Sequence, residues 1–198
     1  MEYTKGELAK FGAEDFDPGK NWWEAIRGFT FWSIPALLFV LSVNYFESLR
    51  SVSYYEDAIS QGIAPKSWNV AFLPGLMLFL LSLIFIRVHW ISIVVHKILI
   101  NVFAIGALMF GLLLGQIICQ IPEAYEFYGS WRFYLTGLGL AIGLLIFAMM
   151  NVFIWYLSYL NSWDDQFRTK ISMVSAVFRI VVSGTFGFLL LWYFWMEK

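Results

Sequence analysis

The sequence predicts an all-α, polytopic membrane protein, a bundle of five transmembrane helices. Three observations predict it. Residues are 60 % hydrophobic and only 14 % charged, where a soluble domain carries about 25 % charged residues. Trp68 to Ile121 runs for 54 residues with Arg87 and Lys97 its only charged members. Phe133 to Leu160 runs for 28 residues with no charge. One helix crosses the ~30 Å hydrocarbon core with roughly 20 residues. The first stretch is therefore two spans, and the second is one long span that tilts or projects beyond the membrane.

Met1 to Arg27 is a polar N-terminal segment of mixed charge. It lacks both the early apolar core of a secretory signal and the acid-poor composition of a transit peptide. Asp17-Pro18-Gly19 reads as a turn. Asn21-Trp22-Trp23-Glu24 starts a short interfacial helix, with both tryptophans as anchors at headgroup level. Residues 28–196 then form the transmembrane domain, with spans at about 28–46, 69–86, 98–121, 133–160 and 174–196. Pro35 removes one backbone donor from the first span, a loss that membrane helices tolerate. Pro74-Gly75 predicts a kink or a late start in the second.

The connections differ in character. Glu47 to Ser67 is the longest polar loop between spans and ends in Gly62-Ile63-Ala64-Pro65. Arg87 to Lys97 is too apolar for a free loop, so it lies in the interface or is shared between its flanking helices. Pro122 is expected to stop the third span, leaving an acidic, aromatic loop to Arg132. Asn161 to Met173 holds Asp164, Asp165, Arg168 and Lys170.

Five spans put the termini on opposite sides. The tail, the 87–97 link and the 161–173 loop carry eight Lys and Arg, against four on the other side. The positive-inside rule then places the N-terminus in the cytoplasm and the C-terminus outside, in a bacterial inner membrane.

Lipid gives helices no hydrophobic reason to associate, so small residues must let them approach. Ala107, Gly111 and Gly115 recur every four residues in the third span, and Gly139 and Gly143 do so in the fourth. They predict a tight hairpin between these two spans, with a homodimer seam as the alternative. Arg179, Ser183 and Gly187 share one face of the fifth span. That face should turn Arg179 into the bundle, with Asp164 and Asp165 as its expected acidic partners. Arg179, Asn101, Asn151, His89 and His96 map to the cytoplasmic leaflet and form a candidate intramembrane polar cluster.

Little chemistry is on offer. No Asp, Glu or Lys lies deep in a span, which argues against a proton-coupled pump. His89 and His96 are seven apart, too far for one metal ion on a single helix. The lone Cys119 builds neither a disulfide nor a thiolate metal site. No cofactor, metal or catalytic residue is assigned, and no basic run points to nucleic acid. The reading is a non-enzymatic integral membrane protein whose partners are lipids and another membrane protein. It would act by protein–protein interaction in the bilayer, as an accessory subunit of a membrane complex or as an immunity- or exclusion-type protector. The alternative is a small-molecule transporter or channel component that uses the polar cluster. A lipid-modifying enzyme built on Asp164, Asp165 and the histidines is the remaining class.

Overall fold

The computed structural model describes residues 18–46, 63–86, 88–162 and 165–196. These residues form helices: α1 Pro18–Tyr45, α2 Ile63–Ile84, α3 His89–Tyr128, α4 Ser130–Ser162, α5 Asp165–Met173 and α6 Ala176–Met196. No strand occurs among them. Four stretches are long and apolar enough to cross a membrane: Trp22–Tyr45, Trp90–Tyr128, Trp131–Asn161 and Ala176–Tyr193. In α2 the qualifying apolar stretch is the shorter Phe72–Ile84. The described residues are almost entirely helical, and these stretches make the chain an integral membrane protein.

The helices are longer than their apolar cores. α1 begins at Pro18 and runs through Trp22, Trp23 and Pro35 as one element, with no separate interfacial helix. Proline suits a first helical position because the N–H it lacks has no partner there. The 87–97 link is mostly the start of α3, and only a tight turn, closed by Val88 N–H donating to Phe85 O at 2.8 Å, separates it from α2. Arg87 lies outside the described residues, as do 47–62 of the long polar loop.

Pro122 does not stop α3, which continues to Tyr128. A proline costs the ladder one donor, and Glu123 and Ala124 beyond it favour helix. The stop is Gly129, at φ 68°, whose N–H donates to Tyr125 O at 3.2 Å. Only glycine reaches that left-handed region without steric cost, which makes it the usual residue just past a helix end. The expected 122–132 loop thus shrinks to one residue. Likewise, α5 occupies most of the expected 161–173 loop.

The chain divides into two compact units. One comprises Met1–Ala25, Ala71–Val102 and Ile154–Lys198, and the other Ile26–Val70 and Phe103–Phe153. In the first, α2, α3 and α4 bury Phe79, Val95, Leu99, Ile154 and Leu157, and the Trp22 and Trp155 rings lie 6.0 Å apart. Gly187 of α6 packs on Met77 of α2, and Ser183 is buried one turn before it.

In the second unit α1 and α3 run side by side in the same direction. A Cβ at Gly111 would fall on the Ser33 backbone, and one at Gly115 would come within 2.8 Å of Val40 Cβ. Ala107 is fully buried on the same row. Phe29 and Phe110 extend the seam, with centroids 5.0 Å apart. The spacing rule points to the glycine row of α4 as the partner of this row, and the structure differs. Among the described residues, a Cβ added at Gly139 or Gly143 would meet nothing within 4 Å beyond its own stretch of helix. Parallel α1 and α3 can lie in contact along their length, and α1 offers Ser33, Ala36 and Val40, small or slim residues that admit a close backbone.

Candidate functional site

Polar side chains concentrate in the first unit. Ser92 and His96 lie four apart on α3, and Ser158 and Asn161 three apart on α4, so each pair shares a helix face. Ser82 on α2 joins them. Ser82, Ser92, Ser158 and Asn161 are all at most 4 % exposed.

Asn161 ties three helices together. Its Nδ2 donates to Ser92 O of α3 at 2.8 Å, and its Oδ1 accepts from Ser82 Oγ of α2 at 2.8 Å. The Ser82 hydroxyl also faces Phe79 O in its own helix at 2.7 Å. One turn earlier on α4, Ser158 Oγ sits 2.6 Å from His96 Nδ1. Buried polar groups must be paired in lipid, because no water is present to pair them. This network meets that demand for all but Ser92 Oγ, which is buried without a partner.

A second arrangement closes the C-terminal end of α2. Arg179 Nη1 of α6 donates to Leu83 O at 3.1 Å and to Ile84 O at 3.4 Å. Arg168 Nη2 of α5 donates to Ile86 O at 3.2 Å. The last carbonyls of a helix have no donors of their own and carry the negative end of its dipole. Two guanidinium groups supply both the donors and the charge. Arg179 is 8 % exposed and its Nε has no partner. Sequence alone offers Asp164 and Asp165 as its counterions. Asp164 lies outside the described residues, as does the Asp165 side chain. The partners that the structure supplies are backbone carbonyls.

The five residues of the expected cluster are divided between the two units. His96 and Arg179 belong to the first unit, as does Asn101, which is exposed on α3. His89 opens α3, and its side chain lies outside the described residues. Asn151 belongs to the second unit, fully buried. Its Nδ2 donates to Phe103 O at 3.0 Å, and its Oδ1 lies against Gly106, where a Cβ would overlap the amide. Sequence reasoning missed Ser82, Ser92, Ser158, Asn161 and Arg168. The i,i+4 and i,i+3 spacings of the α3 and α4 pairs were the available signal.

The spacing of Ser158 and His96 is that of a nucleophile and its base. Ser158 has no exposed surface, so no substrate can reach its Oγ. Among the described residues, no group of three or more His, Cys, Asp or Glu could hold a metal ion. The chain matches no family model, and no curated protein or solved structure matches it. Fold and site together define a class: an integral membrane protein of packed helices, pinned by a buried polar network and by arginine caps.

Proposed function

We propose that this chain is a non-enzymatic membrane protein that binds another membrane protein within the bilayer, as an accessory subunit of a membrane complex. The observation that carries the reading is the open face of α4. Among the described residues, a Cβ at Gly139 or Gly143 would meet nothing within 4 Å beyond its own stretch of helix, and the most apolar part of α4 is only 11 % buried. In lipid, small residues are where a second helix can approach closely enough for packing to hold it. The equivalent row on α3 is already occupied by α1, so the α4 row is available to a partner. The buried polar groups support a scaffold more than a transport path, because Asn151, Asn161 and Arg179 bond to backbone carbonyls.

In this reading the protein crosses a bacterial inner membrane five times. α2 supplies the fifth crossing: its 22 residues reach about 33 Å at 1.5 Å per residue.

The test is purification of the tagged chain in mild detergent beside a Gly139→Leu, Gly143→Leu double variant. The native chain should co-elute with a defined membrane protein, and the double variant should lose about tenfold of it, the factor that 1.4 kcal/mol represents. Thermal stability should be unchanged, since both sites are open. Equal recovery of the partner with both chains sinks the reading. Sensitivity to a toxin on deletion, with no co-eluting assembly, would favour the protector version.

A further inference from the structure

Arg179 enters the membrane with its charge only partly balanced. It lies in the first turn of the apolar stretch Ala176–Tyr193, about 5 Å in at 1.5 Å per residue. It is 8 % exposed. Among the described residues its bonds all leave from Nη1, to Leu83 O and Ile84 O, and no carboxylate pairs with it. Nε is enclosed without a partner. The two carbonyls belong to the end of α2, where the helix dipole amounts to roughly half a negative charge, and Arg168 bonds to the same end. A guanidinium keeps a full positive charge. At least half of the Arg179 charge is therefore not offset by the groups it touches.

We infer that Arg179 anchors a binding site for the phosphate of an anionic glycerophospholipid. The surrounding medium is the first reason. The most apolar part of α6 is only 17 % buried, and Val177, Phe178, Ile180 and Val181 around Arg179 are exposed. In a bilayer those side chains meet lipid. Depth is the second. The preceding helix α5 carries Asp165, Arg168 and Lys170 in nine residues, so the first turn of α6 lies where hydrocarbon gives way to headgroups. A long arginine side chain brings its charge to the level of the lipid phosphates from there. An intramembrane arginine without a counter-charge costs a few kcal/mol or more, which a phosphate oxyanion removes. Sign is the third. Arg168 donates at the same helix end as Arg179, and Lys170 is exposed two residues further on. Basic groups gathered where helix ends meet select a headgroup of net negative charge over a zwitterionic one. The free edge of the guanidinium fits the ligand. Its Nε and Nη2 hydrogens are parallel, and two oxygens of one phosphate accept both.

This site is separate from the proposed protein-binding face, because Gly139 and Gly143 belong to the second unit and Arg179 to the first. The experiment purifies the full chain in mild detergent and counts bound lipids by native mass spectrometry. Phosphatidylglycerol or phosphatidylethanolamine with the same acyl chains is added. One phosphatidylglycerol should bind about tenfold more tightly than phosphatidylethanolamine, a factor corresponding to 1.4 kcal/mol. Arg179→Met should abolish that preference. Arg179→Lys should keep part of it, since an ammonium retains the charge without the fork. The Gly139→Leu, Gly143→Leu variant should keep all of it, whatever becomes of the protein partner. In the wild-type chain, a phosphatidylglycerol probe with a photoreactive headgroup should label the peptides holding residues 168–179. That map decides the matter if circular dichroism shows Arg179→Met to be unfolded. Equal binding of the two lipids, a preference that survives in folded Arg179→Met, labelling confined to other peptides, or displacement of the lipid by excess inorganic phosphate would each overturn the inference.

Discussion

Asn161 joins α2, α3 and α4 through one amide, and its neighbour Ser92 sets the contrast. Asn161→Ala removes two interhelical bonds, and at an average near 0.6 kcal/mol for such bonds in membranes it should cost about 1–2 kcal/mol. Ser92→Ala removes a buried hydroxyl with no partner, so it should be neutral or stabilising. Thermal unfolding in detergent measures both, and a larger loss from Ser92→Ala than from Asn161→Ala would refute the bonding pattern. Gly106 makes a second case. A Cβ there lies 2.7 Å from Asn151 Cγ, so Gly106→Ala should cost about 1–3 kcal/mol through overpacking. Asn151→Ala in the same chain should recover part of that loss, because contacting residues couple. Simple additivity in the double-mutant cycle would be the contrary result. Asn151 was legible as an intramembrane polar residue, since asparagine in an apolar run stands out. Its receptor was not, because Gly106 and Phe103 O are 45 or more positions away and no local pattern joins them.

The helices show where local signals suffice and where they do not. Apolar length predicted the cores of α1, α3, α4 and α6, since bilayer thickness imposes it directly. Ends were harder to place. Pro122 looked like a stop and was not, whereas Gly129 is one because its φ is positive. The break between α2 and α3 is held from outside its own sequence, by Arg168 and Arg179 reaching carbonyls at 83, 84 and 86. Arg179→Met should therefore loosen this turn. The amides of Phe85 and Val88 should exchange hydrogen about tenfold faster, a local opening of about 1.4 kcal/mol. Arg179→Lys should fall between, since an ammonium lacks the guanidinium fork. Unchanged exchange in Arg179→Met would show that the caps do not hold the break.

At the scale of the whole molecule, the excess of Lys and Arg in the tail, the α2–α3 link and the α4–α6 connection predicts a cytoplasmic N-terminus. A phosphatase fused after Lys198 should be active, because it folds only outside, and a fluorescent protein fused there should be dark. The reverse pattern would overturn either the orientation or the odd number of crossings. The sequence by itself determined the solvent: residues 60 % hydrophobic and 14 % charged, in runs of bilayer length, leave helices in lipid as the viable arrangement. Only the tertiary structure decided which faces meet. It set Gly111 and Gly115 against α1, left Gly139 and Gly143 open, and gave Arg179 carbonyls as partners. The physical reason is that burial in a bilayer depends on composition summed along one segment, whereas packing depends on the shape of two surfaces far apart in the chain. Several small-residue rows satisfy the same spacing rule, and only the complementary surface selects among them.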